Sequence, residues 1–343
     1  MHKLVPLLLS ISLFSVNSLA YGPRGHRLVG SIADQRLARN RPVARKVRQL
    51  LDGLTLQQAA TLPDEIKSWD GCHGTAGTNP VTSKQRINAE LRAFFEANLC
   101  SSTPSHHEFH YTDVPVTGDE NYAGGTIGRG QFDVVQMIPF CIRVLRGEEP
   151  ETNDRAITKA VAVILLTHYL GDIHQPLHVG AEFFNAAGAP FEPSPGDQGF
   201  ADQGGNKLVL FTFVNGHLGA VGKLHSYWDG KTVDNAFRTT RDAIIARRLA
   251  SSQPADWRLS GDAETWAEQM ANDILPLARE ARTRLQYRNI RIIATSPDID
   301  SGEAWEKTDD GGPIYSRWAA GIVRREIHKG GWRLAALLEE ALQ

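Results

Sequence analysis

"DRAITKAVAVILLTHYLGDIHQPLH", residues 154–178, changes character part-way along. Its first half is an apolar helix in which Ile157, Val161, Ile164 and Leu165 recur at three- and four-residue steps and form one stripe. Continuing the stripe reaches His168 and then Asp172, so both polar side chains are expected to point where the apolar face points, into the protein. Pro176 forbids a regular continuation. His174, two positions past Asp172, falls on a different face if the helix persists, and His178, beyond the break, can swing back toward the same spot. A buried histidine and aspartate one turn apart need a partner or a ligand, because burying an uncompensated charge is costly. The stretch reads either as a satisfied His–Asp pair at a helix end or as half of a metal site.

Helical periodicity also dominates outward from this segment. "HRLVGSIADQRLA", "VARKVRQLL", "NAELRAFFEANL", "FDVVQMIPFCIRVL", "VDNAFRTTRDAIIARRLA", "DAETWAEQMANDILPLAREARTRL" and "SRWAAGIVRREIHKGGWRLAALLEEAL" all carry the three- and four-residue rhythm. Extended pieces are few and short: "EFHYTDV" and "NKLVLFTFV". One long segment rich in Gly, Pro and Asp, residues 184–206, follows the opening motif directly and is placed to border a site as a mobile loop. No repeat and no linker divides the chain. The expectation is one all-α, mainly helical domain over residues 21–343, with a few short strands.

The 343 residues, 41% hydrophobic and 22% charged, make a globular chain. Residues 1–20 join a basic start to a short apolar run ending in Ser18-Leu19-Ala20, the pattern of a cleaved secretory signal. The run is short for a membrane anchor. Tyr21 is then the first mature residue, the protein is secreted or periplasmic, and no membrane association follows signal removal. Without the leader, which carries Lys3 and no acid, 36 basic residues face 39 acidic ones. A net charge of −3 gives no bulk attraction to a polyanion, so any phosphate binding must come from local features such as bound cations. Of the three cysteines, Cys72 and Cys100 are the preferred disulfide, because Cys141 sits in a helical run and reads as a buried apolar thiol.

Four further stretches offer ligand types. "YGPRGH" ends at His26; "LPDEIKSW" places Asp64 beside Pro63; "HEFHYTDV" carries His110 and Asp113; "KLHSYWD" spaces His225 and Asp229 by four, on one face of a helical turn. Taken singly, each also reads as an ordinary surface histidine, first-turn acid or helical ion pair.

Together, in order and wording, these stretches resemble the secreted, zinc-dependent single-strand-specific nucleases of the S-one/P-one type, which share their fold with the zinc phospholipases C. The resemblance runs from Tyr21 to Asp229 through "GxxGH", "DE" at Asp64-Glu65, "HYTD", "HYLGDIHQPLH", "GGN" ending at Asn206 and "LHSYWD"; beyond about residue 285 no motif matches. It implies three zinc ions. Asp64, His110 and His168 would hold one, and His178, His225 and Asp229 a second. The third would take the amine and carbonyl oxygen of Tyr21 with His26, and Asp172 would bridge the first and third. Asp113 would orient the attacking water or assist proton transfer, and Asn206 would bind a phosphate oxygen.

The implied activity is hydrolysis of single-stranded RNA or DNA to 5′-mononucleotides by metal-activated hydroxide attack on phosphorus, with 3′-nucleotides as further substrates and no stable protein partner. Tyr21 stands where the family usually begins with Trp, and Leu62-Pro63 where Trp-Ala is usual. The competing readings are a zinc phospholipase C and a zinc-stabilised secreted binding protein without turnover. The histidines left outside the ligand set are His73, His106, His107, His174, His217 and His328, besides His2 of the leader.

Overall fold

The helix of the opening motif forms the axis of the molecule. In the computed structural model, which describes residues 21–343 apart from 73–75, 215, 239, 253 and 309–313, it spans Lys159–Asp172. Thr158 caps its start by accepting a hydrogen bond from the Val161 N–H. Every residue from Ala160 to Asp172 is buried. The one-sided stripe was thus too narrow a reading: the segment is apolar on all faces because helices enclose it. They are Gly22–Leu37, Gln85–Ala97, Val134–Arg146 and Tyr315–Ala341. The proposed signal, residues 1–20, lies outside the described residues.

Two glycine positions allow the closest approaches. A Cβ on Gly171 would lie 2.5 Å from His26 Nδ1, so only glycine lets the His26 ring lie against the central helix. A Cβ on Gly331 would meet the Ile32 side chain at 2.6 Å, where the 27-residue C-terminal helix crosses the N-terminal one. The central helix stops at Asp172, and Pro176 opens a single 3₁₀ turn, Pro176–His178, capped by Gln175.

The strands depart furthest from the sequence reading. "NKLVLFTFV" supplies Leu208–Val214, but three partners went unread: His217–Lys223, Leu285–Ile292 and Ile299–Glu306. They form a four-stranded sheet in which Leu208–Val214 runs antiparallel to its hairpin partner and parallel to Ile299–Glu306. "EFHYTDV" is not a strand along its length: Glu108–His110 is a 3₁₀ turn, and only Val114–Pro115 pairs, with Gly180–Ala181. "VDNAFRTTRDAIIARRLA", expected as one helix, breaks into Lys231–Phe237 and Asp242–Leu249, with Arg238 at φ 40°. Arg24 holds that break, pairing with Asp234 and Asp242 and donating to the Arg238 carbonyl.

Cys72 and Cys100 are joined, and Cys141 is a buried thiol on the Val134–Arg146 helix. Among the described residues no helix is long and apolar enough to cross a membrane. Helix with a few short strands is the observed class.

Candidate metal centre

His168 and Asp172, one turn apart at the end of the central helix, are fully buried. His168 Nδ1 lies 2.7 Å from the Ala60 carbonyl. A carbonyl only accepts, so Nδ1 carries the proton and Nε2 presents its lone pair. That lone pair faces His110 Nδ1 at 3.1 Å, Asp172 Oδ2 at 3.3 Å and Asp64 Oδ1 at 3.6 Å. Asp64 arrives on a four-residue helical turn, Leu62–Glu65, and His110 at the end of its 3₁₀ turn. Burial alone would raise the Asp64 carboxyl; Lys67, with Nζ 2.8 Å from Oδ1, is the largest of the neighbouring charges that outweigh it and hold Asp64 down to about 2.

The second group is built on the 3₁₀ turn after Pro176 and on the helical turn Leu224–Asp229. His178 Nδ1 donates to the His110 carbonyl at 2.9 Å, and His225 Nδ1 to the Gly204 carbonyl at 2.8 Å. Their Nε2 atoms then point at each other across 3.0 Å, with Asp229 Oδ2 3.4 Å from His225 Nε2. Burial, above all, holds His225 down to about 4 and His178 well below its ordinary value, so both rings are neutral. Two lone pairs facing at that distance repel each other unless a cation lies between them.

His26, carried by the first turns of the Gly22–Leu37 helix, stacks on His168 with centroids 3.8 Å apart and points Nε2 at Asp172 Oδ1, 3.5 Å away. Asp172 Oδ1 is buried and makes no hydrogen bond, while Oδ2 faces His110 at 3.0 Å. The two oxygens of one carboxylate thus serve two different histidine groups. Burial and the neighbouring Asp64 push the Asp172 carboxyl well up, and a cation beside it would offset both effects. The donor set suits zinc: imidazole nitrogens and carboxylate oxygens, with the other ring nitrogen of His168, His178 and His225 anchored on a backbone carbonyl.

Tyr21 precedes the Gly22–Leu37 helix as its N-cap residue, in a left-handed conformation. Its N–H donates to Asp229 Oδ1 at 3.1 Å, and its carbonyl accepts the first helical hydrogen bond, from Gly25. His174 stands apart from the ligand sets: Nδ1 donates to the Leu170 carbonyl, and Nε2 lies 3.2 Å from Arg333 of the C-terminal helix.

A cavity of about 330 Å³ opens onto His110, His178 and His225. Asp113 and Asn206 line it. Burial first, then Asp202 and Asp298, push the Asp113 carboxyl up to about 8. Asn206 ends a tight turn in which Gln203, Gly204 and Gly205 all have positive φ, a run that glycine makes possible. Asp202, just before this turn, makes a buried ion pair with Arg282 at 2.6 Å. The expected 184–206 loop therefore borders the cavity through its final residues, after Phe183–Phe184 pairs with Phe200–Ala201.

Lys67 and Tyr111 are among the wall residues not singled out in the sequence. Lys67, three positions past Asp64, had a legible signal in that helical spacing. Tyr111, 39% exposed beside His110, had none.

The chain belongs to the S1/P1 nuclease family, whose family model matches residues 21–343. It is accordingly a hydrolase of phosphoester bonds acting on nucleic acid, in a metal-dependent family. It is similar to Endonuclease 5 of Arabidopsis thaliana, 23% identical over 94% of this chain and 90% of that protein. Endonuclease 4 of the same plant is 27% identical, over 94% and 89%. Endonuclease 3 is 25% identical, over 52% and 50%.

Proposed function

We propose that this protein is a secreted trinuclear-zinc nuclease that hydrolyses single-stranded RNA and DNA to 5′-mononucleotides and also removes phosphate from 3′-nucleotides. The observation that carries the reading is the pair of neutral histidines, His178 and His225, holding Nε2 lone pairs 3.0 Å apart with Asp229 beside them. Asp64, His110 and His168 would hold one zinc, His178, His225 and Asp229 a second, and His26 with the backbone of Tyr21 the third, Asp172 bridging the first and third. Zinc there supplies a water acidified toward neutral pH and positive charge against the phosphate oxygens.

The chain's own groups do the rest. Asn206, on its rigid turn at the cavity wall, can exchange its hydrogen bond to the Gln203 carbonyl for one to a phosphate oxygen. Asp113, with a carboxyl poised near neutral pH, orients the attacking water or passes a proton to the departing 3′ oxygen. Tyr111 offers a ring on which a base can stack. A cavity of about 330 Å³ has room for roughly one nucleotide and none for a duplex, so a base must already be unpaired to enter.

The test is product analysis on matched single- and double-stranded oligonucleotides. The expected result is rapid cleavage of the single strand alone, leaving 5′-phosphate ends. Products carrying 3′-phosphates, or hydrolysis of phosphatidylcholine at a comparable rate, would overturn the reading.

A further inference from the structure

Two histidines set aside in the sequence converge on a third carboxylate. Asp70 Oδ2 lies 3.0 Å from His106 Nε2 and 2.6 Å from His107 Nε2. The two imidazoles sit with centroids 4.4 Å apart. Asp70 and His106 are buried, while the His107 side chain is 27% exposed and forms part of the wall of the catalytic cavity. We propose that Asp70, His106 and His107 form a separate divalent-cation site, of zinc type, on that wall.

The donor set, one aspartate and two histidines, is the same as in Asp64/His110/His168 and in His178/His225/Asp229, and its ligand atoms likewise gather within 4.8 Å of one another. Nε2 of both rings faces the Asp70 carboxylate, so each ring gives up its Nε2 proton when it ligates, and binding at this site is expected to release protons. The ligand-bearing segments are fastened together before any ion arrives. The Cys72–Cys100 disulfide lies two residues from Asp70 and six from His106, and the His106 N–H donates to the Asn98 carbonyl at 3.0 Å. Lys67, the nearby cation, is engaged by Asp64.

The geometry also sets the strength of the site. Zinc–ligand bonds of about 2.0–2.2 Å in a tetrahedron separate the donors by roughly 3.3–3.5 Å. Asp70 and His107 must therefore move apart by several tenths of an ångström, giving up the hydrogen bonds they share, and the partly exposed His107 ring can do so. Binding is accordingly weaker than at clusters whose nitrogens already stand 3.0 Å apart with no proton between them. Three protein donors leave at least one coordination position open.

Crystals of the mature protein soaked in millimolar zinc, with anomalous difference maps recorded on either side of the zinc absorption edge, locate each ion individually. The expected result is a peak within bonding distance of Asp70, His106 and His107, distinct from those at the other clusters. In His107→Gln this peak disappears and the others remain, and a zinc titration in solution shows one weak equivalent fewer. A wild-type map without a peak at Asp70, or equal zinc uptake by wild type, His107→Gln and Asp70→Asn, would overturn the proposal. Missing peaks at His178/His225 or at His110/His168 would instead count against the catalytic reading alone.

Discussion

Asp172 offers its two oxygens to two groups of histidines from a position with no exposure to solvent. Asp172→Asn removes the charge that would offset two cations at once. Bound zinc and turnover should fall together, activity by more than about 100-fold; full occupancy with near-normal turnover would contradict the bridge. His174→Ala is the contrasting variant, since that ring is held by Leu170 and Arg333, and its zinc content should match wild type. Asn206→Ala should keep its zinc while turnover drops by about 100-fold, the order lost with one donor to a developing charge.

Asp113 predicts a pH signature in the metal-free protein. Its folded carboxyl, pushed up to about 8, lies above the unfolded value of ~3.9. The stability it allows is intact below ~4 and is lost as pH rises toward 8, because the folded site resists the ionised form. The melting temperature of Asp113→Asn should gain on wild type from pH 5 to 8 and then level off. A constant gap would refute the raised value.

At the scale of elements, the site depends on two close fits. Gly171→Ala would drive a methyl into the His26 ring, so we expect loss of zinc from the His26–Asp172 pair with the His178/His225 group retained; loss of both together would show that the helix end, and not the ring, had moved. The turn at residues 203–206 rests on the buried Arg282–Asp202 pair. Arg282→Met strands a buried carboxylate and should cost about 3–5 kcal/mol, measured by denaturant unfolding.

The legible and illegible parts of the sequence divide along the same line. The central helix could be read because an apolar run ending in His168 and Asp172 declares its burial locally. His178 could be read because Pro176 marks where the helix must turn. Ile299–Glu306 could not, because it buries only Ile299, Gly302, Ala304 and Glu306, and of its two partner strands the nearer, Leu285–Ile292, buries only Leu285 while the other lies some ninety residues away. The break at Arg238 depends on Arg24, more than two hundred residues earlier, and no local pattern announces it. The asymmetry has a physical cause: periodicity reports what one element buries, while register and clamps are set by partners distant in sequence.

Across the whole molecule, a chain of weakly negative charge must attract a polyanion. Buried acids at Asp64, Asp172 and Asp229, set among histidines, would gather the cations that reverse the sign locally. The proposed removal of residues 1–20 acts on the same charge balance. In the uncleaved chain Tyr21 N is a peptide nitrogen that donates to Asp229, whereas a freed amine could ligate. Protein beginning at Tyr21 should hold more tightly bound zinc than protein with any residue before it, and equal content would remove Tyr21 from the ligand set.

The most direct measurement strips the mature protein with a chelator, counts tightly bound zinc as it is restored at limiting free metal, and follows cleavage of a single-stranded oligonucleotide at each step. The account predicts no cleavage by the stripped protein, recovery as the count approaches about three per chain, and no recovery in His178→Ala or His225→Ala. Undiminished cleavage by zinc-free protein, or full recovery in either variant, would contradict it.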